Sequence, residues 1–244
     1  MFNFKDKNVI VTGGAKGVGH AIAKAFHQAG ARVCIADLHV DDTGSQENML
    51  FVQVDVSNKK SVENLVQTVL QTWGTIDILI NNASIYPVSD FLALSEDDWD
   101  TMMNVDLKSV YLCTQSVSKV MVQNKRPGTI INIGTIDALH PSWGHSHYSA
   151  AKAGAWSYTR AAAKELGQHG IRVNMVSPGL INRPGLADQW PDGYGRFMDR
   201  AALKRVPEAE DIANACLFLA SDLANSITGV DLPVESGVLS AAAY

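Results

Sequence analysis

Six short apolar runs rich in β-branched residues, at 8–12, 32–37, 49–54, 76–81, 129–133 and 172–176, alternate along the chain with helix-period segments at 18–28, 59–73, 97–121, 148–168 and 208–219. Near-continuous apolar runs of this length suit strands covered on both faces, and strands separated by helix-length segments pair in parallel through right-handed crossovers. The pattern therefore predicts a doubly wound α/β architecture: an open, mostly parallel sheet with helices on both faces. Pro87, Pro127, Pro178 and Pro207 fall in the connections, where a missing amide hydrogen costs least. No repeat, low-complexity tract or linker-like shift divides the 244 residues, so a single domain over 1–244 is expected, and an apolar share of 46% is enough for its core. The longest connection, 180–205, carries Gly185, Pro191, Gly193 and Gly195 and is expected to be an irregular lid.

Charge and cysteine usage exclude several classes of function. Lys plus Arg number 20 against 25 Asp plus Glu, a net charge of -5, so no basic face is offered to nucleic acid. Cys34, Cys113 and Cys216 are odd in number and far apart, which reads as a reduced intracellular chain without a disulfide framework or zinc knuckle. There is no apolar signal core at the start and no run near the roughly 20 apolar residues of a membrane span, so a soluble cytoplasmic protein with no membrane partner is expected.

Directly after the first run, Thr12-Gly13-Gly14-Ala15-Lys16-Gly17-Val18-Gly19 leads into the first helix. Glycines here let the backbone turn sharply and approach a pyrophosphate, whose charge the helix N-terminal amides favour; the same glycines also suit a purely structural turn. The second run ends in Asp37, about 20 residues further on, where a carboxylate accepts hydrogen bonds from an adenosine ribose and repels a 2′-phosphate. NAD is expected in preference to NADP. Lys16 pulls the other way, either as a partner for a 2′-phosphate or as a solvated lysine at a helix start. Asp55 stands just past the third run, within reach of adenine, and Asn81-Asn82-Ala83 closes the fourth where the cofactor must pass.

At the chemical end, Tyr148-Ser149-Ala150-Ala151-Lys152 puts a phenol and an ammonium on one helix face. A neighbouring cation favours the phenolate and draws the tyrosine toward use as an acid or base. The fifth run leads through Gly134 to Thr135, whose hydroxyl either holds a substrate oxygen or caps a turn. Asn104 sits within a helical pattern, where an exposed amide is the plain reading of spacing alone.

These motifs, with Asp55-Val56, Asn104-Val105 and Ser177-Pro178-Gly179, occur in an order and spacing that resemble the short-chain dehydrogenase/reductase family over residues 7–237. The resemblance implies a Rossmann-like fold. It implies Tyr148 as general acid/base, Lys152 lowering its pKa and holding the nicotinamide ribose, and Asn104 in a water-mediated proton relay. The implied catalytic set is Asn104, Thr135, Tyr148 and Lys152, with no metal. The cofactor would lie against Gly13, Lys16, Gly17, Val18, Gly19, Asp37, Asp55, Val56, Asn82, Ala83, Tyr148, Lys152, Pro178, Gly179 and Ile181. Three departures stand out. Thr135 replaces the usual serine, keeping the hydroxyl and adding a stiff methyl. Ser84 replaces the glycine of Asn-Asn-Ala-Gly. Arg183 stands where a threonine commonly binds the nicotinamide carboxamide, either facing solvent or anchoring a substrate anion.

Residues 136–147, between Thr135 and Tyr148, include Asp137, His140, Trp143, His145 and His147 and would face the substrate in the family's geometry. His145 and His147 lack a third ligand at helical spacing, so hydrogen bonding to a hydroxylated substrate or surface exposure is preferred to a metal site. Trp190 and Tyr194 add flat amphipathic surface to the lid. The expected substrate contacts are Thr135, Asp137, His145, Tyr148, Arg183 and Trp190. The expected activity is NAD-dependent hydride transfer from a small-molecule secondary alcohol of sugar, polyol or cyclic type. The alternatives are an NADPH-dependent 3-oxoacyl-thioester reductase and a dinucleotide-binding regulator without turnover. The resemblance also implies a homotetramer, or a homodimer, built on the long helices at 97–121 and 148–168.

Overall fold

The computed structural model describes residues 2–40, 44–46 and 48–240. Eight strands form one sheet: β1 (Asn8–Thr12), β2 (Arg32–Asp37), β3 (Gly44–Gln46), β4 (Met49–Gln53), β5 (Ile78–Asn81), β6 (Gly128–Ile133), β7 (Ile171–Pro178) and β8 (Asp231–Val234). Their spatial order is β3-β4-β2-β1-β5-β6-β7-β8. All pairs are parallel except the β3–β4 pair at one edge. The helices are α1 (Gly17–Gln28), α2 (Lys59–Trp73), α3 (Glu96–Met103), α4 (Ser109–Gln123), α5 (Ser146–Leu166), α6 (Leu186–Gln189), α7 (Pro191–Arg200) and α8 (Ala209–Ala220). The doubly wound α/β sheet expected from the apolar pattern is therefore present as one domain.

The side-chain alternation within β1 shows why near-continuous apolar runs were required. Ile10 packs in a core with Val62, Leu65, Leu112 and Cys113, from α2 and α4. Val9 and Val11 point the other way, into a core with Ile22 and Phe26 of α1 and Ile212 of α8. Both faces of the strand are dry, so its three central positions are apolar, while the buried Asn8 and Thr12 at its ends hydrogen-bond to Thr75 and the Ile80 carbonyl. All three cysteines are buried and free. Chain order reverses between β1 and β5, which lie side by side, the switch point at whose carboxyl ends doubly wound sheets bind their ligands.

The helix expected at 97–121 is interrupted. Between α3 and α4 the chain makes a π-helical turn over Asn104–Lys108, and the Ser109 hydroxyl donates to the Val105 carbonyl there, a side-chain insertion into the main-chain ladder. The lid expected to be irregular contains α6 and α7, packed through Leu186, Phe197, Ala201 and Val206. Gly193 accounts for the difference: a Cβ on it would come 2.0 Å from the Trp190 ring, so this glycine makes room for the indole rather than breaking the helix. No described helix is long and apolar enough to cross a membrane.

Candidate active site

The cofactor end is built on the β1–α1 turn. The N-cap of α1, Lys16, provides no side-chain cap, and no acidic residue occupies the first turn, so the first amides stay open to an anion. Gly13, Gly17 and Gly19 shape the approach; a Cβ on Gly19 would come 2.1 Å from the Gly13 carbonyl oxygen, so the helix seats directly on the turn. Val18 packs on the α1–α8 core. Asp37 Oδ2 accepts from the Ala15 amide at 3.0 Å, tying the end of β2 to the turn while leaving acceptor capacity for ribose hydroxyls. Asp55 Oδ1 accepts from the amide and hydroxyl of Ser57 at 2.9 and 2.6 Å. Open amides, a glycine turn and an acceptor carboxylate at the second strand fit a dinucleotide.

Other expected cofactor residues turn out to brace this end. The Asn82 side chain donates to the Thr12 and Gly13 carbonyls at 3.0 and 2.9 Å. The Thr12 hydroxyl accepts from the Asn82 and Ala83 amides and donates to the Ile80 carbonyl, a strut between β1 and β5 that sequence reasoning passed over. Val56 turns its side chain into the core. Pro178 closes β7 opposite Val234, the Gly179 amide donates to the Val234 carbonyl at 3.2 Å, and Ile181 packs partly buried on the core.

The chemical end gathers where β6 and α5 meet. A buried chain of amides and hydroxyls fixes α5 against the sheet: Asn81 donates to Asn132, Asn132 to Thr159 on α5, and Thr159 to the Ala155 carbonyl. One turn apart on this anchored helix, Lys152 Nζ stands 5.7 Å from the centre of the Tyr148 ring. The Thr135 hydroxyl acts on the phenol, favouring its ionised form, and accepts from the Asp137 amide at 3.2 Å, so it is both a turn cap and part of the site. The Tyr148 phenol is pushed above its usual pKa, first by burial. Lys152, as expected, and the Thr135 hydroxyl act in the opposite direction, while Asp106 and Asp137 add to the rise. The expected lowering by Lys152 is therefore present and outweighed.

Asn104 is not brought to this cluster by its side chain. Its Oδ1 accepts from Lys108 Nζ at 3.2 Å, at the exposed side of the π-helical turn. The residue that meets the lysine is Asp106, which sequence reasoning did not single out. Its Oδ2 lies 3.3 Å from Lys152 Nζ, and the two side chains are 0% and 3% exposed. Lys152 also donates to the Ile133 carbonyl at 3.1 Å. Helical periodicity held the signal: Met102, Asp106, Val110 and Cys113 recur at four, four and three residues, so Asp106 is a charge on a buried apolar stripe.

Beside the phenol, Asp137 Oδ1 accepts from the Ser142 hydroxyl at 2.9 Å, and Oδ2 lies 3.2 Å from His145 Nδ1. The carboxylate thus holds the imidazole with Nδ1–H toward it. His145 Nε2 is out of solvent and without a hydrogen-bond partner, and its ring centre is 5.7 Å from that of Tyr148. Arg183 and Trp190 make side-chain contacts within the segment 180–205: Arg183 donates to Gln189, and Arg196 covers the Trp190 ring at 5.9 Å.

A protein-family model described as enoyl-(acyl carrier protein) reductase matches residues 13–239. The chain is 39% identical over 242 residues to the (2S)-[(R)-hydroxy(phenyl)methyl]succinyl-CoA dehydrogenase subunit BbsD of Thauera aromatica, covering 96% of each. It is 38% identical over 244 residues to a 3-oxoacyl-[acyl-carrier-protein] reductase of Chlamydia trachomatis, covering 96% of this chain and 97% of that one. It is also 34% identical over 241 residues to meso-2,3-butanediol dehydrogenase of Serratia marcescens, covering 96% and 95%. With its doubly wound sheet, its glycine turn and Tyr148 one turn before Lys152, this chain belongs to the short-chain dehydrogenase/reductase family of oxidoreductases.

Proposed function

We propose that the chain is an NAD-dependent dehydrogenase acting on a secondary alcohol that carries a second oxygen, as in a polyol, sugar or hydroxylated ring. The observation that carries this reading is the phenol of Tyr148, with Lys152 Nζ 5.7 Å from its ring centre and the Thr135 hydroxyl favouring its ionised form. Bound at this end of the sheet, the nicotinamide would supply the hydride acceptor. Thr135 holds the substrate oxygen, Tyr148 takes the hydroxyl proton, and Lys152 steadies the charge left on the phenolate. Asp37 at the end of β2 supports NAD over NADP by repelling a 2′-phosphate. Steady-state assays with NAD and NADP across polyols, sugars, hydroxysteroids and cyclic alcohols test the assignment. The expected result is kcat/KM at least about tenfold higher with NAD; a preference for NADP would overturn the cofactor assignment.

The second oxygen is read from His145. Its unpartnered Nε2, oriented by Asp137, accepts from a hydroxyl next to the reacting carbon. His145→Phe keeps the ring and removes that acceptor. A rise in KM of about 10-fold or more is expected for vicinal diols, with simple secondary alcohols unaffected. An equal effect on both would remove His145 from substrate selection.

A second reading is reduction of a 3-oxoacyl thioester with NADPH. The names of relatives favour it, as do the exposed apolar side chains Val88, Phe91, Leu92 and Trp143, the last 99% exposed, which suit contact with an acyl chain. A 3-oxoacyl thioester in the substrate panel separates the two. Self-association through α4 and α5 belongs to the same proposal, supported by exposed Tyr111 of α4 set edge-on to Tyr158 of α5.

A further inference from the structure

We infer that Asp106 is the counter-ion that sets the pH at which Tyr148 gives up its proton, and that Ser84 tunes it by hydrogen-bonding the same carboxylate oxygen. The inference rests on the role proposed for Tyr148. Its basis is a chain of contacts running from an exposed loop to the phenol. The Ser84 hydroxyl donates to Asp106 Oδ2, and the Ile85 amide donates to Oδ1 at 2.9 Å. Oδ2 also faces Lys152 Nζ at 3.3 Å, and Nζ stands over the Tyr148 ring. The carboxylate is completely buried, so water does not screen its charge from its neighbours.

Two consequences follow for a half-buried phenol next to a lysine. The ammonium alone would favour the phenolate, but a carboxylate 3.3 Å behind it cancels much of that field. A neutral amide at the same place would hold the lysine without cancelling its charge. Asp106 therefore keeps Tyr148 protonated to higher pH than Lys152 would permit alone. The other groups facing the phenol are Asp137, with the same sign of effect as Asp106, the Thr135 hydroxyl, which acts with Lys152, and His145, whose ring is beside it and whose Nδ1 is turned to Asp137. Ser84 bears on the oxygen nearest the lysine. Its hydroxyl dipole partly offsets the charge on Oδ2, so removing it strengthens the field that Lys152 and Tyr148 feel.

Asp106 is thus a positioning residue that acts through Lys152, and the test reads the phenol directly, with no substrate required. The phenolate of Tyr148 is followed by ultraviolet-difference titration of the protein alone, each variant compared with the same variant carrying Tyr148→Phe. In Asp106→Asn the Tyr148 phenolate is expected at lower pH than in the wild type; in Ser84→Ala it is expected at higher pH by a smaller step. Thermal denaturation checks that each variant is folded. Coincident wild-type and Asp106→Asn titrations, or an alkaline displacement in Asp106→Asn, would overturn the inference. Should Asp106→Asn not fold, the exposed Ser84 site decides: an unmoved or acid-displaced Ser84→Ala titration overturns it equally. Turnover surviving Tyr148→Phe would instead overturn the role of the tyrosine, a result separate from the position of its titration.

Discussion

Tyr148→Phe is expected to lower kcat by about 10²- to 10⁴-fold, the range a positioned acid or base supplies, while leaving the fold intact. The structure separates these two effects. Removing the phenol oxygen orphans no buried group: Thr135 keeps the Asp137 amide, and Lys152 keeps Asp106 and the Ile133 carbonyl. Stability should change by no more than about 1 kcal/mol, the net worth of one hydrogen bond. Cofactor affinity should persist, since the glycine turn and Asp37 lie on β1, α1 and β2, away from α5. Calorimetric titration with NAD, thermal denaturation and single-turnover kinetics check the three parts. A variant that binds NAD, melts like the wild type and still turns over at the wild-type rate would return the proton transfer to another group, with the Asp137–His145 pair the nearest. Loss of binding together with turnover would mean that the tyrosine serves the cofactor more than the chemistry.

The sheet was legible because burial on both faces leaves a pattern that no other element produces. Val9, Ile10 and Val11 had to be apolar together, and the same holds for 33–36 in β2, 78–80 in β5 and Ile130 with Ile131 in β6. The edges were less legible. β3 is a three-residue, mostly polar segment, and β8 carries Asp231 and Pro233, so neither shows an apolar run. The helices within 180–205 were not legible because glycine stands in for two physical needs: Gly193 in α7 makes space for an indole, whereas a glycine in a loop supplies freedom. The site was legible where chemistry sits at a fixed spacing on one element, as with Tyr148 and Lys152. It was not legible where the partner comes from another element. The motif around Asn104 drew attention to the turn but not to Asp106 within it, because the lysine that pairs with Asp106 comes from another helix and depends on how α4 and α5 pack. Asp137 and His145 were read as substrate-facing; their pairing emerged only when the loop folded back on itself.

Lys152→Met is expected to cost stability as well as activity, and the two losses should respond differently to a second substitution. Methionine matches the stem of lysine but leaves Asp106 completely buried without its cation. Breaking a buried pair in this way typically costs about 3 to 5 kcal/mol, most of it the penalty for the stranded charge. Adding Asp106→Asn removes that charge. The amide still offers its oxygen to the Ile85 amide and its NH₂ group to the Ser84 oxygen, the two contacts the carboxylate makes outside the pair. Most of the lost stability should therefore return in the double variant. Turnover should not, because neither side chain can then stabilise a phenolate on Tyr148. Denaturant unfolding and steady-state kinetics on the single and double variants measure the two responses, and the cycle gives the coupling energy directly. Equal stability of Lys152→Met and the wild type would show that Asp106 tolerates burial unpaired. Recovery of turnover with stability would reduce Lys152 to a structural role, since a charge that catalysis needs cannot be restored by removing its counter-ion.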